Sequence, residues 1–361
     1  MRRTSVIASL AALSLAATLT ACGADDTPDE GTGPDATPTE GAAGDGTSDD
    51  GDTLVIYSGR NENLVAPVLE ELEAAVGIPV EVRYAGTSEL AAQLLEEGSA
   101  TDADLFFGQD AGALGALARA DMLVELDRTV TDLVPEVYRD GGDRWVATSG
   151  RVRVLAYDPE QVPDVESLTT IDDVLAPGLE GQVGFAPANA SFHAFVTGLR
   201  VARGEEGARE WLEAFAASSP EGYENNNAVL DAVDGGQVAV GLINHYYYFQ
   251  KVAELGQDAV SARIHYLEPG DPGSLVNVAG AGVVAGTDNR TAAHAALEFL
   301  LSAETQQYFA DTTAEYPVVE GVTSTTFDLP DLADVAENQI DLNDLDSLDQ
   351  TLVMLDEVGL T

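Results

Sequence analysis

The chain has 361 residues, of which 63 are Asp or Glu and 16 are Lys or Arg, so its formal net charge is −47. Nucleic acids and anionic membrane surfaces are bound through Lys and Arg side chains, and this charge balance therefore excludes both as partners. The length allows two core-forming domains, because a single core seldom grows beyond about 300 residues. The acidic surface favours solubility in a saline setting or attraction of cations.

The first 22 residues have the form of an export signal. Arg2 and Arg3 precede an apolar segment, Ser5–Thr20, that is too short to span a bilayer comfortably. The small residues before Cys22 resemble the lipobox of bacterial lipoproteins, in which the cysteine is diacylated. We therefore expect a signal peptide at 1–21, lipidation of Cys22 and a location at the outer face of the cytoplasmic membrane. An ordinary secretory signal that happens to contain a cysteine is the alternative.

An acidic segment follows the lipobox. Residues 23–52 consist mainly of Gly, Pro, Thr, Asp and Glu and contain no base. Such a segment cannot bury enough apolar surface to offset its ordering entropy. We expect a disordered acidic tether over 22–52, so that the membrane is contacted only through the lipid anchor.

Short strands and helices alternate from residue 53 onward. Apolar runs predict strands, and apolar residues at every third or fourth position predict helices. Ser88 is the expected N-cap of the second helix, and Gly77 is expected to end the first. The alternation indicates a parallel α/β sheet covered by helices. The expected strands are 53–57, 79–84 and 103–107, and the expected helices are 61–76 and 88–98.

The same alternation restarts at Arg151. The expected strands are 151–158, 181–187, 238–244 and 279–287, and helices are expected at 194–204, around 211–215 and at 294–311. Residues 339–360 have apolar residues every three to four positions, which predicts a terminal helix.

The sequence contains no motif that supports catalysis. It has no Gly-x-Ser-x-Gly elbow, no phosphate-binding Gly-Lys loop and no His-Glu-x-x-His zinc motif. His294 and Glu298 are four residues apart, which is explained by a surface pair on one helix. We therefore expect a protein that is not an enzyme.

Three consecutive tyrosines, Tyr246 to Tyr248, follow the expected strand 238–244. Beyond the end of a strand the chain turns into a helix or loop, where neighbouring rings can face one point. That point lies at the carboxyl end of a sheet, where α/β folds bind ligands. Two phenol oxygens suit a hard, highly charged cation, which favours the phenolate form. Packing in a hydrophobic core is the alternative interpretation.

Five segments match a known family: TLVIYSGRNE, ADLFFGQDAGAL, SGRVRVLAYD, NNNAVLDAVDGGQVAVGLINHYYYF and AEYPVV. Through them the chain, from about Thr53 to about Val322, resembles the ferric-ion-binding periplasmic proteins of bacterial ABC transporters. These are type II solute-binding proteins.

The resemblance implies a two-lobed α/β fold, the type II periplasmic-binding-protein fold, with mixed sheets flanked by helices and a hinge between the lobes. Lobe 1 would comprise 53–151 plus 277–327, and lobe 2 would comprise 152–276 plus 328–361.

The resemblance also implies a metal site. Tyr246 and Tyr247 fall on the two ligand tyrosines of the family, and Tyr248 falls on a flanking aromatic. Where many members have a His ligand this chain has Asn61, followed by Glu62. Where they have a Glu ligand it has Gln109. The candidate metal ligands are Tyr246, Tyr247, Glu62, Asn61 and Gln109.

The family binds a synergistic anion beside the metal, here expected to be carbonate, phosphate or citrate. Amide, hydroxyl and guanidinium groups can donate hydrogen bonds to such an anion. Arg153 shares one strand face with Arg151, although a surface ion pair is an equal alternative for it. A turn or helix cap is the alternative for Asn225–Asn227. The candidate anion-binding residues are Asn189, Ala190, Ser191, Asn226, Asn244, Arg153 and Asp110.

The function implied by the resemblance is that of a substrate-binding lipoprotein of an ABC importer. It would capture ferric iron (Fe3+), free with an anion or as a chelate, between closing lobes. It would deliver the iron to the permease and ATPase of the same importer, and we expect a monomer. The alternatives are the same fold with a small organic anion such as a phosphonate, or a secreted enzyme or structural lipoprotein.

Overall fold

The computed structural model describes residues 53–335, 340–345 and 347–361. The predicted signal peptide, the lipidation of Cys22 and the acidic tether lie outside the described residues. Within those ranges, no helix combines the length and the apolar character that crossing a membrane requires.

Nine strands of the described chain form one sheet in the order β2-β1-β3-β9-β4-β7-β5-β6, and β8 pairs with β4. β1 runs parallel to β2 and β3, and β5 runs parallel to β6 and β7. β9 and β4 are antiparallel to their neighbours, so the sheet is mixed. The strands are β1 Leu54–Ser58, β2 Val80–Tyr84, β3 Leu105–Gly108, β4 Val146–Tyr157, β5 Val183–Phe185, β6 Glu221–Gly222, β7 Val240–Asn244, β8 Arg263–His265 and β9 Val276–Val283.

Helices flank this sheet. They are α1 Glu62–Val76, α2 Thr87–Glu97, α3 Ala111–Arg119, α4 Arg128–Thr131, α5 Ala190–Ala217, α6 Asn226–Asp234, α7 His245–Leu255, α8 Arg290–Leu300, α9 Ala303–Tyr308, α10 Leu332–Val335 and α11 Leu348–Val358. A π-helical turn, Phe309–Thr313, follows α9.

Strand β4 joins the two halves of the sheet. Its residues from Val146 to Val152 pair with β9, and those from Arg153 to Tyr157 pair with β7. The change of partner therefore falls between two consecutive residues, Val152 and Arg153. Because successive side chains of a strand point to opposite faces, every second side chain of β4 near this point faces the junction of the two halves.

Separate hydrophobic cores stabilise the two halves. The first core is built from β1, β3, β9 and the helices α1, α2, α3 and α8, with Phe106 and Leu72 at its centre. In the second core, Phe215 packs edge-to-face with Phe185 and stacks on Trp211. A third core covers the other face of β4 and β7. Burial of large apolar side chains contributes about 1.5–3 kcal/mol each relative to exposure.

The end of the chain contacts both halves. We call residues 340–345 and 347–361 the C-terminal segment. Leu342 and Leu345 pack in the first core, beside α3, whereas Met354 and Leu355 of α11 pack in the second core, beside α5. The residue ranges of the two lobes stay a prediction.

Three expectations about helices are wrong. Ser88 is not an N-cap, because α2 begins one residue earlier with Gly86 at the cap. The helix expected over 294–311 is interrupted after Leu300, where Ser302 caps a new helix. The helix expected over 339–360 is confined to α11, because Asp341 caps a short 3-10 turn before it. In the last two cases a side-chain cap, rather than the apolar spacing, sets the boundary.

Candidate functional site

A cavity of about 380 Å³ lies at the junction of the two halves. We call it the cleft cavity. The loop after β1, the end of β3, the middle of β4 and the starts of α5 and α7 form its walls. Both phenol-bearing residues of the predicted metal pair, Tyr246 and Tyr247, line it. The carboxyl ends of β1, β3 and β7 therefore converge on one site, as α/β folds arrange their ligand sites.

Tyr246 and Tyr247 stand in the first turn of α7, directly after β7. Their ring centroids are 4.3 Å apart and the rings are inclined by 31°. The first turn of a helix carries the positive end of the helix dipole. Tyr248 instead packs in the third core and bonds to Gln257. The local helix thus allows two neighbouring phenols to share one cavity, which a strand does not.

Tyr246 is 5% exposed. Burial, and next the neighbouring phenol of Tyr247, raise the pKa of Tyr246 well above its usual value, while Arg151 lowers it. Tyr246 is therefore a neutral phenol at physiological pH until a cation of high charge displaces its proton.

His245 fixes the start of α7. It is buried, and burial lowers the pKa of His245 to about 4, so the ring is neutral at physiological pH. Its Nδ1 accepts a hydrogen bond from the Val152 N–H at 3.2 Å, and its Nε2 lies 2.7 Å from the Ala314 carbonyl oxygen. These partners assign the proton to Nε2. The imidazole thereby ties the tyrosine-bearing helix to the middle of β4.

Arg151 and Arg153 lie on the same face of β4 and are both buried. The surface position that was the alternative for Arg153 is therefore wrong. Burial lowers the pKa of Arg153 to about 10, and burial likewise lowers the pKa of Arg151. In both residues Nη1 is buried and has no hydrogen-bond partner among the described residues. Arg151 lines the cleft cavity, whereas Arg153 is not a lining residue. A buried cationic N–H group without a partner is costly, so these Nη1 groups favour a bound anion beside them.

The turn that begins α5 forms the opposite wall. Asn189 is the N-cap and accepts a hydrogen bond from the Ser191 N–H at 2.9 Å. Asn226 donates to Asn189 Oδ1 at 3.3 Å and to Ser191 Oγ at 3.1 Å. Asn189, Ala190 and Ser191 line the cleft cavity, whereas Asn226 supports this turn from behind. The helix-cap interpretation is correct for Asn225, which caps α6.

The remaining predicted residues are divided between the cleft cavity and its surroundings. Asn244, Asn61 and Gln109 line the cavity. Asn244 Nδ2 and Gln109 Oε1 are buried and have no partner among the described residues, while Asn61 caps α1. Glu62 lies exposed in the first turn of α1 and is not a lining residue. Asp110 caps α3 and lines a neighbouring cavity.

Sequence reasoning did not select several lining residues, notably Arg151, Arg60, Asn227 and Gln250. Arg151 is two residues from Arg153 and therefore lies on the same strand face, so the spacing alone predicts it as a site residue. No local pattern predicts Arg60, because its position depends on an ion pair with Glu315, which is distant in the sequence. Within the described ranges, no group of three or more His, Cys, Asp or Glu residues is placed to hold a metal ion.

Residues 100–347 match the family described as bacterial extracellular solute-binding protein. The chain belongs to this family. The Fe(3+)-binding periplasmic protein of Serratia marcescens is 32% identical over 272 residues, which cover 75% of this chain and 80% of that protein. The major ferric iron-binding protein of Neisseria meningitidis serogroup B is 31% identical over 277 residues, or 75% of this chain and 82% of that protein.

A solved structure extends this similarity to three dimensions. The crystal structure of iron-bound HitA from Pseudomonas aeruginosa is 30% identical and has a TM-score of 0.79, covering 85% of this chain and 99% of that one. The expected type II periplasmic-binding-protein fold is confirmed. The relatives named above are binding proteins.

Proposed function

We propose that this protein is the extracytoplasmic binding component of an ABC importer and that it captures ferric iron together with an anion in the cleft cavity. The observation that carries this proposal is the pair of phenols, Tyr246 and Tyr247, side by side in the wall of that cavity. The relatives named for ferric iron, one of them with iron bound in its crystal structure, support the same cargo.

The two phenols would bind the metal as phenolates, since a trivalent cation favours the deprotonated oxygen and hard oxygen donors pair with hard ions. Gln109 Oε1, which has no partner among the described residues, supplies a neutral oxygen on the opposite wall. Glu62 is exposed and does not line the cleft cavity, so we do not include it among the metal ligands.

Charge balance requires the anion. A ferric ion with two phenolates keeps one formal positive charge, and the buried guanidinium groups of Arg151 and Arg153 add two more. An anion of high charge such as citrate, phosphate or carbonate would offset this excess. Its hydrogen-bond donors would be the two Nη1 groups, Asn244 Nδ2 and the backbone N–H groups at the start of α5.

Capture would occur by closure of two lobes about β4. We place one hinge between Val152 and Arg153, where β4 changes partner, and a second just before Val276, where β9 begins. Residues on both sides would contact the ligand only in the closed form, so binding would shift the population toward it. A lipid on Cys22 would hold the protein near the permease.

The test is the visible absorbance of the purified protein during titration with ferric citrate. Phenolate-to-iron charge transfer should colour the wild type orange-red. Tyr246→Phe or Tyr247→Phe should weaken or remove the colour, and Tyr248→Phe is the matched control, because Tyr248 packs in the third core. The alternative outcome is a wild type that stays colourless with ferric citrate but binds a phosphonate in titration calorimetry. That result would favour an organic anion as the ligand, which the two buried arginines also fit.

A further inference from the structure

A second cavity, of about 260 Å³, lies beside the cleft cavity. We call it the side cavity. It is lined by α2 and α3 of the first half, by the first two turns of α5, and by Leu345, Leu348 and Asp349 of the C-terminal segment. Its walls therefore come from helices of both halves and from the C-terminal segment, which contacts both cores.

The lining of the side cavity is mostly apolar. Its apolar walls include Ala91, Leu95, Ala113, Ala116, Ala194 and Leu348. Small alanines on three helices leave the space open, since larger side chains at these positions would fill it. Pockets for entire drug-sized ligands have volumes of about 300–1,000 Å³, so this space fits one apolar group of a ligand rather than a complete ligand.

One polar group in the side cavity lacks a partner. Asn277 is 4% exposed, and its Oδ1 accepts hydrogen bonds from the N–H groups of Ala111 and Val278. Its Nδ2 is buried and has no partner among the described residues. A buried amide donor without a partner is costly, and a ligand oxygen in the side cavity would satisfy it.

The two cavities meet at the start of α5. Ala190 lines both of them, and on the facing wall Gln109 lines the cleft cavity while the next residue, Asp110, lines the side cavity. The two cavities therefore adjoin, and a ligand held in the cleft cavity would reach the apolar space by passing Ala190. The cleft cavity offers iron two phenols and amide oxygens, which leaves coordination positions for oxygen atoms of such a molecule.

We propose that the cargo is a ferric chelate of a small organic chelator, whose oxygen atoms complete the coordination of iron in the cleft cavity and whose apolar group occupies the side cavity. This inference rests on the proposed function and specifies its substrate class. Asn277 Nδ2 donates to a carbonyl or hydroxyl oxygen of the chelator, and Ala113, Ala116 and Ala194 contact its apolar group.

Two hydroxamate chelators with the same iron-binding group test this inference. Ferric acetohydroxamate carries a methyl group, and ferric benzohydroxamate carries a phenyl group in its place. We expect the benzohydroxamate complex to bind the wild-type protein at least tenfold more tightly, because the side cavity removes the phenyl group from water. Affinities are measured by titration calorimetry, and charge-transfer absorbance reports whether iron reaches the phenols.

Ala194→Leu should reduce this preference to about twofold or less, since the added side chain fills the side cavity. Ala202→Leu is the matched control, because Ala202 lies exposed on the same helix, outside the cavity, and this variant should keep the full preference. Asn277→Leu should weaken both hydroxamate complexes relative to ferric citrate.

Equal affinities of the wild-type protein for the two hydroxamates, with charge-transfer colour present, would overturn this inference and leave the iron-binding function intact. A phenyl preference that persists undiminished in Ala194→Leu would also overturn it. Absence of charge-transfer colour with ferric citrate and with both hydroxamates would reject the iron-binding function, and the inference with it.

Discussion

Arg60, in the wall of the cleft cavity, forms a bidentate ion pair with Glu315, with Nη1–Oε1 and Nη2–Oε2 distances of 3.1 and 2.6 Å. The two side chains are 0% and 1% exposed. The pair joins the loop after β1 to the segment that follows the π-helical turn, 255 residues later. Its carboxylate is also close enough to Arg151 to influence that guanidinium. The pair therefore balances charge in a region that contains several buried arginines.

Removal of this carboxylate should destabilise the protein. In Glu315→Gln the guanidinium of Arg60 stays buried without a counter-charge, and we expect the free energy of unfolding to fall by about 3–5 kcal/mol. Urea denaturation monitored by tryptophan fluorescence measures the change. Glu320→Gln, at an exposed position, is the control and should change stability by less than about 0.5 kcal/mol. A loss below about 1 kcal/mol for Glu315→Gln would contradict the proposed charge balance.

Arg151 and Arg153 should contribute to binding at the expense of stability. Arg151→Gln or Arg153→Gln should weaken ferric citrate binding at least tenfold, because a hydrogen bond to a charged group is worth about 1.5–3 kcal/mol. The ligand-free variants should be at least as stable as the wild type, since a buried unpaired charge has been removed. Arg203→Gln, which disrupts a partly exposed pair with Asp172 away from the cleft cavity, is the control. If both Arg151→Gln and Arg153→Gln bind ferric citrate as tightly as the wild type, the two arginines have no role in anion binding.

Asp311 should make the stability pH-dependent at low pH. Burial alone would raise the pKa of Asp311, but hydrogen bonds from Thr325, Gln307 and Ser324 lower it to about 2 from its ordinary 3.8. Because the folded-state pKa is the lower one, this contribution is present above pH 3.8 and is lost as the pH falls toward 2. After allowance for solvent screening, we expect ionised Asp311 to contribute about 1 kcal/mol to the free energy of unfolding.

The corresponding variant is Asp311→Asn. It should be less stable than the wild type at pH 6, and the difference in unfolding free energy should shrink between pH 4 and pH 2. Chemical denaturation across this range provides the measurement. A difference that stays constant down to pH 2 would show that the carboxylate charge is unimportant.

Arg200 should hold α11 against α5. Its Nη1 donates to the Ser347 carbonyl oxygen at 2.9 Å and to Thr351 Oγ1 at 2.8 Å, and its Nη2 donates to Gln350 Oε1 at 2.6 Å. We expect Arg200→Leu to destabilise the protein by about 2–4 kcal/mol and to accelerate hydrogen exchange in α11 selectively. Arg209→Leu, which removes an exposed pair with Glu357, should have an effect below about 1 kcal/mol. Unchanged exchange in α11 of Arg200→Leu would contradict this attachment.

Local patterns predicted the regular elements better than their ends. The apolar runs at β1, β3 and β7 and the periodic helix α1 are found where expected, because burial against a sheet imposes these patterns directly. Helix ends depend on which neighbour provides a cap. Thr87, for example, donates to the Gly59 carbonyl oxygen and accepts from the Gln109 N–H, so it ties two cleft loops together while α2 begins at this residue.

The sequence by itself determined the alternation of strands and helices, the position of the tyrosines just beyond a strand, and the residue spacing that puts Arg151 and Arg153 on one face. These features follow from the periods of helix and strand, which act over a few residues. Only the tertiary structure decided which side chains share the cleft cavity, that Arg60 is paired with Glu315, and that the C-terminal segment closes a second cavity. Those contacts join residues distant in the chain, and their energies depend on burial and charge in the assembled molecule rather than on local spacing.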